Sequence, residues 1–399
     1  MSTTLTSPII KQKKQRIDVI DVMRGYAVMA IMLIHNIEHF NYYHYPDKAL
    51  NPTWLNTLNE EVLYWVFFLF AGKTYSIFAI LFGFTFYLMN NKQKEMGKDF
   101  GPRYLWRLLL LVGFALFNAA FFPGEVLMLY ALTGPILFVV RKWSNKALLI
   151  AALFFLSQPF DLLQYVYSLI NPEYTVSQQL FVPLWKEAMA VIKEGNFFDT
   201  MCANLTLGQG FSLLWAIENG RAVQTMGLFI LGFWLGNVGA FKAENYNQWK
   251  KVLVAAVLTM IPLFFIKEHF TGSEVSEVIK RSLGVAFDMY WKVSFTFIWI
   301  SLIVLIYKNK TVVKWSKPLQ TYGKMSLTNY ITQSIFGGIL YFGYGFHLAD
   351  TCGVAFSLLI GFGFLAVQML FCHYWLKNHK QGPFESLWHQ LTWNIPSKK

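Results

Sequence analysis

The sequence predicts an all-α, polytopic helical membrane protein with about ten transmembrane helices, the second of them broken near Gly72. Three observations carry that prediction. Hydrophobic residues make up 55% of the chain and charged residues only 14%, against about 25% charged in soluble domains. Mean hydropathy is +0.39, and 38 Phe, 20 Tyr and 14 Trp in 399 residues bring more apolar surface than one core hides from water, so the solvent is lipid. Apolar stretches of roughly twenty residues, the length that crosses a hydrocarbon core, recur between short polar segments where Lys and Arg cluster. An ordinary soluble enzyme, a disordered chain and a repeat solenoid are all excluded.

The spans centre on residues 20–38, 62–90, 104–121, 126–140, 147–168, 222–240, 250–267, 285–307, 325–345 and 353–376. The first is a retained anchor: a basic run precedes it, but Asp18, Asp21 and Arg24 interrupt what a signal peptide would keep apolar. The second is too long for one straight crossing and carries Gly72 and Lys73 in its middle, so it breaks or re-enters there. Between the fifth and sixth spans, residues 169–221 form a long outward segment with Pro172, Pro183 and an amphipathic stretch from Leu184 to Phe198, read as a helix lying in the interface. The remaining spans follow with short connections, and residues 1–399 form a single multi-pass domain.

Sidedness follows from where the basic residues fall. Lys11, Lys13, Lys14, Arg16, the 92–107 cluster, Arg141, Lys142, Lys146, Lys242, Lys250, Lys251, the 308–324 cluster, Lys377, Lys380, Lys398 and Lys399 gather on one side, which the positive-inside rule makes cytoplasmic, with both termini. The net charge of +12 is therefore read as topology, with no nucleic-acid partner. The three cysteines, Cys202, Cys352 and Cys372, show no spacing of metal-site type, so no metal is expected. Cys202 and Cys352 both fall outside and are the pair able to form a disulfide in an oxidising compartment.

Ionisable groups within spans mark the places to look for chemistry. Arg24 and His35 are eleven positions apart, which returns to nearly the same helix face about 16 Å further along. Glu38 and His39 follow His35 by three and four residues, so a carboxylate can orient an imidazole at the outward end, and Asp21 can pair with Arg24. The same residues also read as an interface marker and a wet helix end, and spacing does not choose between the two. Lys73, with Tyr75 nearby, needs an anionic or water-filled partner: either a salt bridge or a ligand phosphate or thioester in a polar cavity reached from the cytoplasm. Asp288 with Lys292 and Glu218 with Arg221 read as internal pairs. Asn329 and Gln333 present two amides on one face, suited to bridging helices or to touching substrate, and Glu125 suits a helix N-terminus. No GxSxG, HExxH, GxGxxG or Walker string occurs, which leaves acyl transfer or transport.

Several strings together resemble the YeiB-type bacterial membrane proteins, a domain-of-unknown-function family within the transmembrane acyltransferase superfamily. They are IDVMRGYAVMAIMLIHN ending at Asn36, LFAGKTYSIFAILFGF from Leu69 to Phe84, PGEVLMLYALTG from Pro123 to Gly134, GKMSLTNYITQS from Gly323 to Ser334, and QGPFESLWHQLTW from Gln381 to Trp393. The resemblance implies a bacterial cytoplasmic (inner) membrane location. Related type-three acyltransferases carry an Arg followed after ten residues by an essential His, which Arg24 and His35 match. A lysosomal N-acetyltransferase is similar in this span, with Asn at the His35 position and a His in the next loop, for which His44 is the loosest counterpart. YeiB-type members often carry that Asn too, so the chain departs toward the acyltransferase pattern, and its Glu125 stands where the family usually has Asp.

These readings combine into an expected membrane acyltransferase that takes an acyl group, acetyl foremost, from cytosolic acyl-CoA to a hydroxyl or amine of an extracytoplasmic glycan or lipid-linked sugar. His35 would be the base, with His44 as the other choice and Glu38 orienting it. Arg24, Asn36, His39, Lys73, Tyr75, Glu125, Asn329 and Gln333 would contact substrates. Acyl-CoA would be a donor substrate, with no tightly bound cofactor; membrane lipids and the acceptor are the expected partners, and a homodimer is left open. The rival is a transporter or lipid-handling protein with a charged midplane site formed by Lys73, Asp288 and Lys292.

Overall fold

The computed structural model describes residues 17–40, 44–272 and 274–394. The basic residues Lys11, Lys13, Lys14, Arg16, Lys398 and Lys399 that entered the sidedness argument lie outside them. Among the described residues every regular element is helical. In chain order these are α1 (Asp18–Ile37), α2 (Thr53–Phe70), α3 (Thr74–Glu95), α4 (Gly101–Ala119), α5 (Leu127–Thr133), α6 (Pro135–Val140), α7 (Asn145–Leu156) and α8 (Pro159–Ile170). There follow α9 (Phe181–Glu194), α10 (Phe197–Ala203), α11 (Gln209–Glu218), α12 (Arg221–Asn237), α13 (Trp249–Thr271), α14 (Glu277–Ile279) and α15 (Val285–Ile306). The last are α16 (Lys310–Trp315), α17 (Lys317–Lys324), α18 (Ser326–Tyr341), α19 (Val354–Asn378) and α20 (Pro383–Trp393).

Nine of the ten predicted apolar segments are helical at their centres, and the fifth, 147–168, breaks at Ser157–Gln158 between α7 and α8. Five helices are long and apolar enough by themselves to cross a membrane, and a sixth results if α7 and α8, bent by 51° at their junction, count as one span. The other segments are shorter or carry charge: α5 and α6 divide at Gly134–Pro135, α12 and α18 have 17 and 16 residues, and α4 holds Arg103 and Arg107. The chain is an all-helical, multi-pass membrane protein. Burial separates centre from rim, because 78% of the apolar window of α1 is buried but only 11% of that of α13. So α1 is the axis of the bundle, and α13 lies at its rim, packed along α15.

Two crossings rest on reciprocal glycines. A Cβ on Gly83 of α3 would stand 1.9 Å from the carbonyl oxygen of Phe229 in α12, and one on Gly232 of α12 would stand 1.9 Å from that of Ile80. Gly323 of α17 meets Asp21 O of α1 in the same way, and Gly25 meets Leu319 O at 2.1 Å. Backbones this close gain dispersion contact, which replaces the hydrophobic drive that lipid cannot supply.

The predicted break is at Ala71–Lys73, where Gly72 has φ +76°. Counting through it, Thr53–Glu95 is a 43-residue rod, about 65 Å long at 1.5 Å per residue and so longer than one crossing requires. The carbonyls loosened at the break are not left bare. Trp299 Nε1 donates to Leu69 O at 2.9 Å, Thr74 Oγ1 to Phe70 O at 3.1 Å, and Thr296 Oγ1 to Lys73 O at 3.3 Å. Irregular backbone survives here because α15 is packed on it.

Residues 169–221, expected as a loop with one interfacial helix, instead form α9, α10, a π-helical turn at Asn204–Gly208 and α11. Phe181 and Trp185 of α9 and Phe211, Ser212, Trp215 and Ala216 of α11 wall a cavity against the core. The amphipathic pattern was real, but its apolar side faces protein as well as the interface.

Candidate functional site

The site is built on α1, which offers its length to two cavities. One, of about 350 Å³, is lined by Arg24, Val28 and Ile31 of α1, by Tyr75, Thr85 and Met89 of α3, by Tyr104 and Arg107 of α4, and by Lys324, Glu385, Trp388 and His389. The other, of about 490 Å³, is lined by Ile31, Ile34, His35 and Glu38, by Gly72, Tyr75, Glu125 and Leu129, by Trp185 and Trp215, and by Arg221 and Lys292. Ile31, Tyr75 and Val126 line both, so the two spaces abut across one thin wall. Arg24 and His35 were read as sharing one helix face. They lie one in each cavity, because α3 and the Glu125–Val126 turn close in on α1 at Ile31, midway between them.

In the first cavity Arg24 donates to Asp21 Oδ1 at 3.0 Å and to Thr85 Oγ1 at 2.6 Å. Arg107, 8% exposed, lies over the Trp388 ring at 4.0 Å and donates to Thr392 Oγ1 at 3.1 Å. With Lys324, the lining holds three cations against the one carboxylate of Glu385. Glu385 is committed elsewhere: it accepts from Leu327 N at 2.6 Å, Thr328 N at 3.1 Å and Thr328 Oγ1 at 2.6 Å, capping the start of α18. The C-terminal α20 thus covers this cavity and is fastened to two helices.

In the second cavity His35 Nδ1 lies 3.4 Å from Glu38 Oε2, an i, i+3 pair on the last turn of α1. The imidazole is packed against Phe122 at 4.6 Å between centroids. Glu125 is 1% exposed and accepts from Leu127 N at 2.8 Å and Met128 N at 2.7 Å, the N-terminal carboxylate role read from the sequence. The Tyr75 hydroxyl donates to Gln224 Oε1. Lys292 reaches the cavity over Gly72, where a Cβ would meet its Cδ at 2.6 Å, and is paired with Asp288 as expected.

Other expected contacts are placed elsewhere. Lys73 lines neither cavity and has no carboxylate partner among the described residues: its Nζ sits 4.0 Å above the Trp291 ring, with Phe295 at 5.3 Å and Phe68 at 5.8 Å, and donates to Phe67 O at 3.4 Å. An aromatic box satisfies the ammonium where a polar cavity was expected. Asn36 donates to Ser357 O and accepts from the Tyr341 hydroxyl at 3.2 Å, joining α1 to α18 and α19. His39 is fully buried, with Nδ1 2.8 Å from His44 O, Nε2 2.7 Å from Ser357 Oγ, and its ring stacked on Tyr341 at 4.7 Å. A carbonyl can only accept, so Nδ1 carries the proton and Nε2 accepts from the serine. His44 is bonded to Asp350 in the loop between α18 and α19, outside both cavities. Asn329 donates to Tyr322 O at 2.9 Å and lies 3.3 Å from Cys372 Sγ, while both amide atoms of the buried Gln333 lack a hydrogen-bond partner. Arg221 and Glu218 are not paired: Glu218 accepts from Leu180 N at 2.8 Å, and the Arg221 guanidinium lies over Tyr75 at 4.2 Å and Trp215 at 4.5 Å. Cys202 and Cys352 are both free thiols, so the disulfide is not formed. Among the described residues no three His, Cys, Asp or Glu side chains converge as a metal site.

Sequence reasoning missed Arg107, Lys324, Arg221, Trp185 and Trp215 as lining groups. Arg107 had a signal, since it falls inside an apolar stretch, but it was counted with the loop charges before that stretch.

The fold and its cavities define a multi-pass helical membrane protein with a two-chambered interior. Residues 235–395 match the family model described as Protein of unknown function (DUF418). Over nearly its whole length the chain is similar to the uncharacterized protein YxaH of Bacillus subtilis, 28% identical across 96% of this chain and 97% of the relative. It is 27% identical to the uncharacterized protein YeiB of Escherichia coli, across 94% and 95%. It is also 24% identical to the uncharacterized 39.9 kDa protein in the amylase 3' region of Bacillus acidopullulyticus, across 95% and 94%. The chain is thus a distant homologue of YeiB and YxaH with a DUF418 region in its C-terminal part. No solved structure matches it.

Proposed function

We propose that this protein is a membrane acyltransferase that moves an acyl group, acetyl foremost, from cytosolic acyl-CoA to a hydroxyl or amine of an extracytoplasmic glycan or lipid-linked sugar. The observation that carries the reading is the pair of abutting cavities, one with three cations and one with an imidazole–carboxylate pair, separated only at Ile31, Tyr75 and Val126. The basic-residue bias supports the cytoplasm as the side of the Arg24 cavity, and the resemblance to YeiB-type proteins supports the bacterial inner membrane as location. Arg24, Arg107 and Lys324 suit the phosphates of an acyl-CoA, whose thioester would extend along α1 toward Ile31. On the other side the acceptor hydroxyl gives its proton to His35, its oxygen bonds to the thioester carbonyl carbon, and the carbon–sulfur bond breaks. The coenzyme A thiolate leaves and takes up the proton. Glu38 holds Nδ1 of His35, directing Nε2 to the acceptor.

Purified protein given radiolabelled acetyl-CoA and cell-envelope fractions should transfer label, and none should be transferred by His35→Ala above about one hundredth of the parent rate. A second reading, a transporter, draws on the break at Gly72 and the Asp288–Lys292 pair beside the second cavity. Uptake of solute into liposomes without any label transfer would favour it.

A further inference from the structure

The ionisable groups of the His35 cavity are matched with one exception. Glu38 faces His35, Glu125 is held by two backbone N–H groups, and Lys292 is bonded to Asp288. Arg221 has no carboxylate within ion-pair reach among the described residues, and its Nε is buried without a hydrogen-bond partner. Its guanidinium carbon lies 4.2 Å from the Tyr75 ring centroid and 4.5 Å from that of Trp215, two aromatic contacts that hold the fork at the cavity wall. A guanidinium without a carboxylate partner, its Nε buried and unsatisfied, gains from a bound oxyanion that accepts from its N–H groups. Trp185 and Trp215 add broad aromatic walls of the kind on which the apolar face of a ring lies.

We propose that the His35 cavity binds a phosphoryl sugar, with Arg221 taking the phosphate and the sugar ring lying against the tryptophan walls. This rests on the reading of the same cavity as the acceptor site and narrows it: the acceptor hydroxyl belongs to a sugar that carries a phosphate, either soluble or as the headgroup of a lipid-linked species.

The test is binding to the full chain in neutral detergent without any acyl donor, read by tryptophan fluorescence, using glucose 1-phosphate and glucose as probes. Glucose 1-phosphate should bind about tenfold tighter or more, the scale of one charge-assisted bidentate contact. Arg221→Gln should bring the ratio to about one while glucose binding itself stays, which shows the variant is folded, and Arg221→Lys should keep part of the preference. Equal binding of the two probes to the parent protein, or an undiminished preference in Arg221→Gln, overturns the proposal. Displacement of the probe by phosphatidylglycerol nanodiscs but not phosphatidylcholine ones assigns the phosphate to a lipid headgroup; no displacement by either assigns it to a soluble sugar phosphate. A phosphate preference in a protein that transfers no acyl group to any acceptor removes the acyltransferase reading and leaves this site standing.

Discussion

At the scale of the residue, chemistry is decided by partners. His35 and His39 are four positions apart on one chain segment, yet one lines a cavity and the other is locked between a carbonyl, a serine and a tyrosine ring. His39 and Phe40 also adopt left-handed backbone, φ 55° and 54°, a conformation that non-glycine residues hold only when packing demands it. His39→Ala should therefore strand the Ser357 hydroxyl and release that turn, lowering stability by about 1–3 kcal/mol, measured by thermal unfolding in detergent. His35→Ala should leave the melting temperature almost unchanged but lose roughly 100-fold in transfer rate, with little change in acyl-CoA affinity. Asp350 supplies a pH test outside the spans. The hydrogen bond from His44 holds its carboxyl below the usual carboxylate range, with His347 adding to the effect. Its stabilising contribution is therefore complete above the unfolded value of about 3.9 and is lost as pH falls through the lower folded value. The melting difference between parent and Asp350→Asn should be present at neutral pH and vanish in strong acid.

At the scale of the element, the helices are held by close approach and by side chains that satisfy interrupted backbone. The α3–α12 crossing tolerates no Cβ at Gly83 or Gly232, since each would overlap a carbonyl oxygen of the opposite helix. Gly83→Val should force these helices apart and cost well over the roughly 1–3 kcal/mol of ordinary overpacking, seen as loss of monodisperse protein on size exclusion. Gly113, around which a Cβ would meet nothing within 4 Å, is the control at which Ala should be neutral or slightly stabilising. The break at Gly72 is different in kind. Its φ of +76° and the passage of Lys292 over it both require glycine, so Gly72→Ala should disturb the Lys292 approach to the His35 cavity before it disturbs the fold.

At the scale of the whole molecule, one thin wall divides the interior. If acyl groups pass from the Arg24 cavity to the His35 cavity, they pass at Ile31, Tyr75 and Val126, the residues that line both. Filling that point with Ile31→Phe should abolish transfer while acyl-CoA binding on one side and acceptor binding on the other persist, the two affinities being measured separately by calorimetry. Loss of both affinities together would mean that Ile31 supports the bundle and not a passage.

The sequence by itself determined what depends on composition and on near neighbours. A chain with recurring apolar runs of about twenty residues is helical in lipid, because within such a run a helix satisfies its own backbone. The break at Gly72, the pairs Asp21–Arg24, His35–Glu38 and Asp288–Lys292, and the capping by Glu125 follow from spacings of a few residues along one helix or turn. Only the tertiary structure decided which groups meet across helices. It put Lys73 in an aromatic box from α2 and α15, tied His39 to α19, drew Glu218 away from Arg221, and separated Arg24 from His35 by bringing Tyr75 and Val126 to Ile31. Helical periodicity states which face a side chain occupies; what stands opposite that face depends on which helices the bundle sets side by side, and no local spacing encodes that.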